Sequence, residues 1–142
     1  MRYLVSAAAI LALIGCAATK PVSLYQTYSD YSQQMNSENV QQLAPTYFSS
    51  NLLPKSFADA SVTQQLLFKN MMAKPLQHNE LVTGNTGCLA VVGQDNEQQP
   101  LQFNLAYRAQ NDSWLIDKVH VAFLEQFTEL PAITNCAELF PG

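Results

Sequence analysis

The sequence of 142 residues has the length of one globular domain, and 48% of its residues are hydrophobic, enough to form a core. Only 13% of the residues are charged, and the formal net charge at pH 7 is −4. The few lysines and arginines are dispersed along the chain. These features exclude an electrostatic nucleic-acid binder and the docking of a basic patch to anionic lipid.

The N-terminus has the pattern of an export signal. Arg2 precedes an apolar run over residues 4–14 in which Ser6 is the one polar residue. A positive charge followed by a short apolar segment is typical of a secretory signal peptide. The run is too short for a transmembrane helix, which needs about 20 apolar residues. We therefore expect residues 1–15 to form a cleaved signal helix, and the loss of Arg2 makes the mature chain more acidic.

The residues that end this run, Leu-Ile-Gly-Cys at 13–16, resemble the lipobox of bacterial lipoproteins. The resemblance implies cleavage before Cys16, a diacylglyceryl thioether on its sulfur and an acyl chain such as palmitate on the new amino group. Several acyl chains give a stable membrane anchor, whereas one chain binds only marginally. Ala17 implies, by similarity to Gram-negative sorting signals, the periplasmic face of the outer membrane. The alternative is an ordinary secretory signal cleaved near Ala18, with Cys16 unmodified.

The chain divides into four predicted segments. These are the signal peptide at 1–15, a lipidated tether at 16–22, an α+β domain at 23–124 and a C-terminal tail at 125–142. The tether spans roughly 20 Å when extended, so the domain is expected close to the membrane. The tail contains two prolines and shows no periodicity, which indicates an irregular segment packed on the domain.

The first half of the domain shows helical periodicity. Ser23 can cap a first helix whose apolar stripe consists of Leu24, Tyr28, Tyr31 and Met35. Ser37 can cap a second, short helix that is expected to end at Pro45. A third helix is expected over about residues 57–73, and a capping box that begins at Ser61 is compatible with a later start.

After the third helix the hydrophobic period changes from helical to alternating. The clearest strand covers residues 101–108, and a short apolar strand at 88–92 precedes it. A tight turn at 110–113 leads into a last strand that ends near residue 123. The apolar residues of this strand change parity near Asp117, where we predict a β-bulge that keeps both sets on one face.

Cys88 and Cys136 are the cysteines that remain once Cys16 is assigned to the lipid. An export signal places them in an oxidising compartment, where such a pair is expected to form a disulfide. The closed loop would contribute roughly 4 kcal/mol on chain-entropy grounds. Two unpaired thiols are the alternative. The sequence has no CxxC or HxxxH spacing, so we expect no metal site.

The stretch NDSWLIDKVHVAFLE at 111–125 is similar to the closing hairpin of small NTF2-like domains. The early tyrosine-bearing helix and LAPTYFSSNLL at 43–53 also resemble the first half of that fold. The resemblance implies N-terminal helices packed on a curved antiparallel sheet, which together form a cone around a pocket. The candidate pocket-lining residues are Tyr28, Tyr31, Phe103 and Trp114. The alternative for the aromatic rings is that they are core residues.

Enzymes of the NTF2-like class, which this chain resembles, place a carboxylate, and often a histidine, inside the cone for acid–base chemistry. We assign no catalytic residue, and His120 with Asp30 is the candidate pair. His120 alternates with Val119 and Val121, so it faces away from the core if the two valines face it. His78 is expected in a loop. The sequence has no glycine-rich phosphate loop with the required lysine, and we expect no cofactor.

These observations lead to one hypothesis and two alternatives. The hypothesis is a noncatalytic, membrane-anchored periplasmic lipoprotein that binds an envelope protein or a small apolar ligand. The alternatives are a small cofactor-independent enzyme of the isomerase or dehydratase type, and an assembly or stabilising factor of an envelope complex. An open cavity lined by titratable groups would favour the enzyme.

Overall fold

The computed structural model of the protein describes residues 22–55 and 60–141. The predicted signal peptide and all but the last residue of the predicted tether lie outside the described residues. Among those described, no helix combines the length and the apolar character that crossing a bilayer requires.

Three α-helices precede a sheet in the described part of the chain. The helices are α1 (Leu24–Gln34), α2 (Val40–Tyr47) and α3 (Ala60–Leu66), and a 3-10 helix at Phe68–Met71 follows α3. The sheet is antiparallel with the strand order β1-β2-β3-β4. Its strands are β1 (Lys74–Thr83), β2 (Thr86–Gln94), β3 (Pro100–Gln110) and β4 (Ser113–Phe123). The predicted α+β class is confirmed.

The first helix is fixed at its start by two different side chains. The Gln26 N–H donates to Ser23 Oγ at 3.0 Å, which confirms the predicted N-cap. Glu80 of β1 adds a second cap, because its carboxylate accepts from the N–H groups of Leu24 at 2.9 Å and Tyr25 at 3.3 Å. A negative charge at this position also interacts favourably with the helix dipole. The carboxylate therefore ties the beginning of α1 to β1.

The second helix differs from the prediction at both ends. Asn39, not Ser37, precedes its first turn. The cause is Asn36, whose side-chain oxygen accepts from two following N–H groups at 2.8 and 3.1 Å and forms a turn that delays the helix. Pro45 lies inside the helix, which continues to Tyr47. A proline there removes one helical hydrogen bond to the preceding turn, and α2 ends two residues later.

The third predicted helix is broken in the structure. Its first residues, 57–59, lie outside the described part, and α3 ends at Leu66. Leu67 has a backbone φ of −101° and ψ of 30°, and the 3-10 helix follows it. Three consecutive residues, Leu66, Leu67 and Phe68, are buried. A continuous α-helix would direct them to different sides, so the break allows all three to enter the core.

The sheet contains the predicted β-bulge. Ala106 pairs with Lys118 and Tyr107 pairs with Ile116, so Asp117 has no partner on β3. The turn between β3 and β4 has positive φ angles at both central residues, 50° and 63°. Such a turn matches the right-handed twist of the strands that it joins.

The helices cover one face of the sheet, which we call the front face. Its core includes Leu89 and Val91 of β2 and the alternating residues of β3 from Leu101 to Tyr107. Each of these residues is almost fully buried. Because β3 alternates as predicted, its polar residues lie on the opposite, back face.

The back face is covered by residues 125–141, which we call the strap. The predicted disulfide joins Cys136 of the strap to Cys88 of β2, with an S–S distance of 2.11 Å. Leu130 of the strap packs on Ala90 and Val92 of β2, with Ile133 and Leu139 at the edge of this small cluster. Strand β2 is thus buried on both faces.

Candidate functional site

Three of the four predicted pocket-lining residues lie in the core beneath the helices. Tyr28, Tyr31 and Phe103 are at most 2% exposed. Their rings contact one another or Phe68, with ring centroids 5.1–6.3 Å apart. Trp114 is partly buried and packs against the margin of this core. The first three rings therefore fill the space between the helices and the sheet.

The buried tyrosines are not suited to act as bases. Burial raises the pKa of Tyr28 and Tyr31 well above the ordinary value of 10.0, because a buried phenolate loses its hydration. Burial likewise raises the pKa of Tyr107. The Tyr31 hydroxyl donates to a carbonyl of α3 at 2.6 Å, whereas the Tyr107 hydroxyl has no partner among the described residues. All three hydroxyls stay protonated at neutral pH.

The structure does not bring the candidate pair His120 and Asp30 together. His120 pairs with Asn104 on the back face, beneath the strap. Asp30 lies exposed on α1, which packs on the front face. The sheet separates the two side chains, so they do not form one acid–base site.

His120 belongs to a small hydrogen-bond network. The Asn104 side-chain NH₂ donates to the Leu139 carbonyl at 3.0 Å and lies 3.3 Å from His120 Nδ1. A carbonyl can only accept, so it fixes the orientation of the Asn104 amide and makes His120 Nδ1 the acceptor. The same amide accepts from Gln102 Nε2 at 2.7 Å. The network holds the strap on the sheet.

His78 was predicted in a loop, and this prediction is wrong. It lies in β1, and its ring stacks on Tyr25 of α1 at a centroid distance of 3.6 Å. The strand forms because its backbone pairs with β2 along most of its length. The stack lies beside Glu80, the residue that caps α1. His78 therefore contributes to docking of the first helix.

Asp117, at the β-bulge, joins the loop after α2 to the sheet. Its carboxylate accepts from Ser49 Oγ at 2.6 Å and Asn51 Nδ2 at 2.9 Å, and it pairs with Arg108 at 3.3 Å. Partial burial raises the pKa of Asp117, but the two hydrogen bonds and the Arg108 charge outweigh it, so the pKa is lower than usual. Asp117 is thus an ionised structural link.

An open groove lies between α3 and the outer half of β4. We call it the α3 groove; it has a volume of about 620 Å³, within the usual range of ligand sites. Val119 and Val121 of β4 line it on one side. Residues 64–71 other than Lys69 line the other side, and Phe48 and Leu52 also contribute.

The chemistry of the α3 groove is apolar and uncharged. Apart from side-chain amides such as Gln65, the described residues that line it are leucine, phenylalanine, valine and methionine. Lys69 is turned away and donates to the Ser32 carbonyl at 2.6 Å. No described lining residue has a titratable side chain. The groove can therefore hold an apolar group, but it offers no acid or base of its own.

A smaller pocket of about 360 Å³ continues from the α3 groove and shares Asn70 and Met71 with it. Asp95 and Glu97, in the turn between β2 and β3, and Phe123 of β4 also line this pocket. Phe123 is 71% exposed and Met71 is 39% exposed. Because the lining residues that the structure describes include two carboxylates and no lysine or arginine, the pocket has a negative potential. We call it the acidic end of the groove.

Within the described residues, no group of three or more histidine, cysteine or acidic side chains is arranged to hold a metal ion. Comparisons of the chain with protein families, with curated proteins and with solved structures find no match. The function therefore has to be inferred from the geometry of the described residues.

Sequence reasoning missed the α3 groove because its walls come from three distant parts of the chain. One usable signal was present in the three consecutive apolar residues 66–68, which a single helix cannot bury together. A second was Phe123, an aromatic residue at the end of an edge strand. Neither signal gives the position of the opposite wall.

Proposed function

We propose that this protein is a noncatalytic binding module, anchored by acyl chains on Cys16 at the periplasmic face of the outer membrane. The observation that carries the binding role is the α3 groove, an open apolar site beside exposed Met71 and Phe123. Large exposed apolar side chains beside an open groove are typical of an interaction site.

The anchor is supported by the lipobox-like residues that end at Cys16. The disulfide between Cys88 and Cys136 is consistent with an oxidising compartment, where such bonds persist. The position of α1 in the sequence is also consistent with a membrane anchor on Cys16. Helix α1 begins at Leu24, so a membrane anchor on Cys16 would be only eight residues from the start of the first helix.

The noncatalytic role is supported by the distribution of ionisable groups. His120 lies under the strap, His78 stacks on Tyr25, and Asp117 is engaged in three polar contacts. None of the three lines the α3 groove. A reaction that needs a positioned acid or base therefore has no candidate there among the described residues.

An NTF2-like cone is part of the same proposal. Its support is the order of elements, with helices first and an antiparallel sheet after them, and the β-bulge at Asp117 that bends the last strand. In this proposal the aromatic core fills the closed part of the cone, and the α3 groove is its remaining opening.

The binding role can be tested with the full-length lipidated protein in nanodiscs. The probe is n-octanol, a soluble apolar molecule, and the measurement is hydrogen exchange by mass spectrometry. We expect slower exchange in residues 64–71 when octanol is added, because the probe fills the α3 groove. The β1 segment, which lies at the other edge of the sheet, serves as the internal reference.

Two matched variants make this test specific. Gln65→Trp places an indole in the groove from an exposed position on α3, and should abolish the protection. Gln33→Trp makes the same change on the exposed side of α1, and should leave the protection intact. Absence of protection in the unmodified protein would contradict the binding role.

The anchor has its own test. Cys16→Ser removes the sulfur that would carry the lipid, so we expect the protein to leave the membrane fraction or to remain as an uncleaved precursor. An unchanged mass and unchanged membrane association would contradict the lipoprotein assignment.

A further inference from the structure

The outer edge of β4 is open along its last residues. The Leu124 N–H donates to the Pro100 carbonyl at 3.0 Å, which fixes the alternation of the β3–β4 ladder. The backbone N–H and C=O groups of Val119, Val121 and Phe123 consequently point away from β3. The described residues supply no hydrogen-bond partner to these groups, since β4 is the last strand of the sheet.

The same edge is closed at its other half. The Ser49 N–H donates to the Ile116 carbonyl at 2.9 Å, and Phe48 forms a parallel bridge with Ile116. Beyond the bulge at Asp117, the space beside β4 is open and forms the α3 groove. Chain pairing therefore stops where the groove begins.

Backbone groups and side chains thus present one combined site. Val119 and Val121 direct their side chains into the α3 groove and their backbone groups to the open edge beside it. An extended peptide satisfies both features, because its backbone pairs with the edge while alternate side chains enter the groove. A lipid or another small apolar molecule could fill the groove but would not pair with the backbone groups of the edge.

The acidic end of the groove indicates that a bound segment would carry a positive charge. Asp95 and Glu97 lie beside Phe123, where the edge strand ends, and no lysine or arginine of the described residues lines that pocket. A lysine or arginine on the incoming segment would reach these carboxylates. In a symmetric pairing of two copies along residues 119–123, the paired stretch contains no lysine or arginine, and the flanking Lys118 packs over the Phe140 ring of the strap.

Val22, the last residue of the predicted tether, lies at the other end of the sheet. Val22 shares a small pocket with Asp112 and Trp114, at the turn between β3 and β4. Strand β4 runs from that turn to the acidic end over 11 residues, which corresponds to roughly 30 Å. The six residues from Cys16 to position 21 span only roughly 20 Å when extended. A tether of that length does not reach the acidic end, so it is not the segment that binds there.

We infer that the partner of this module is a polypeptide that adds an extended segment as a fifth strand along residues 119–123. The segment runs antiparallel to β4, places alternate apolar side chains in the α3 groove and carries a basic residue that pairs with Asp95 and Glu97. This inference rests on the proposed function of the groove as a binding site, and it names the class of partner.

The probe is a synthetic peptide with three valine–threonine repeats and two lysines at each end, labelled with fluorescein. It is titrated against the full-length lipidated protein in phosphatidylcholine nanodiscs, with empty nanodiscs as the blank, and binding is measured by fluorescence anisotropy. Two further peptides carry N-methyl groups on all valine amides or on all threonine amides.

In an antiparallel pair, the valines that enter the groove are the residues whose N–H groups face β4. Methylation of the valine amides should therefore weaken binding at least about tenfold, and methylation of the threonine amides should change it by less than about twofold. Equal affinities of the three peptides would overturn strand addition. Binding of octanol without binding of the peptide would overturn this inference alone, and failure of both probes would also overturn the proposed function.

Protein variants test the edge and the charge separately. Val121→Pro removes an N–H that faces the open edge and no ladder hydrogen bond, so the sheet should persist while peptide binding is lost. Val82→Pro is the matched control on β1, where the equivalent N–H also faces outward. A wild-type dimer that Val121→Pro dissociates would overturn the inference in favour of a second copy.

Asp95→Asn with Glu97→Gln tests the acidic end. The substitution at position 95 preserves the local turn, because an asparagine keeps the side-chain oxygen that accepts from the Glu97 and Gln99 N–H groups. We expect the double variant to weaken the lysine-bearing peptide at least about fivefold at low salt and to remove most of the salt dependence. An unchanged affinity would overturn the proposed basic residue.

Discussion

The two faces of the sheet are covered in different ways. On the front face, regular helices bury an aromatic core through Tyr28, Tyr31 and Phe103. On the back face, the strap is irregular except for a 3-10 helix at Cys136–Leu139, and it buries only a small apolar cluster. The back cover is joined to the sheet by a disulfide, whereas the front cover has none in the described residues.

The difference shows that a covering segment that buries few apolar residues needs other contacts to stay ordered. Ordering a chain segment costs conformational entropy for every residue that is fixed. The helices offset that cost by burying large side chains. The strap offsets it with the Cys88–Cys136 bond and with hydrogen bonds to side-chain amides, such as that from the Leu130 N–H to Gln77 Oε1 at 3.0 Å.

The largest effect is expected from the front core. Phe103→Ala should lower the free energy of unfolding by about 3–5 kcal/mol, because it opens a cavity where the Phe103 ring contacts Tyr28 and Phe68. Urea denaturation measures the change. Phe127→Ala removes a half-exposed ring from the strap and should cost no more than about 0.5 kcal/mol. Equal losses in the two variants would contradict the comparison of the faces.

The next effect is expected from the covalent link of the back face. Replacement of both Cys88 and Cys136 by alanine should lower the free energy of unfolding by about 2–4 kcal/mol. Hydrogen exchange should become fast in residues 125–141, while α1 keeps its protection. Uniform acceleration over the whole domain would show instead that the strap and the helices unfold as one unit.

A smaller effect is expected from the polar contacts beneath the strap. Asn104 is 5% exposed and joins β3 to the Leu139 carbonyl. Asn104→Ala should cost about 1–2 kcal/mol, because it leaves buried polar groups without partners. His120→Ala removes only one of the acceptors of this network, Nδ1, and should cost less than Asn104→Ala. The reverse order in urea denaturation would contradict the assigned network.

The smallest effect depends on pH and concerns Asp117, which joins the loop after α2 to the edge of the sheet. The pKa of Asp117 is lower in the folded protein than its ordinary value of 3.8, so its ionised form stabilises the fold above about pH 4. That contribution is lost as the pH falls through the lowered pKa. At neutral pH, Asp117→Asn should cost about 1 kcal/mol. The cost should shrink in urea titrations as the pH is lowered below 3.8, and a constant cost would contradict the role of the charge.

The elements that the sequence predicted well have long, regular patterns. Strand β3 alternates over its whole length, and the parity change at Asp117 located the bulge because both of its sides are buried on one face. The disulfide was predicted from the export-signal pattern at the N-terminus, because an oxidising compartment would favour pairing of the two cysteines. For the strand and the bulge, a local pattern was compatible with a single local structure.

The elements that it missed depend on partners that are distant in sequence. Strand β1 is half-exposed and rich in polar residues, and pairing with β2 decides its structure. Glu80 caps α1 from a position 56 residues away, which no local pattern reveals. The α3 groove likewise requires Phe48 and Val121 to be placed together. Such sites become visible only after the chain is folded.

The cap that Glu80 places on α1 also determines how the fold responds to mechanical force. Tension that enters along the chain at residue 22 first meets the opening turn of α1, and the bonds to the Leu24 and Tyr25 N–H groups pass the load to β1. Strand β1 and strand β4 are opposite edges of the sheet. A pull from the N-terminal side would therefore load β1 through this cap, at the edge of the sheet opposite the open strand β4.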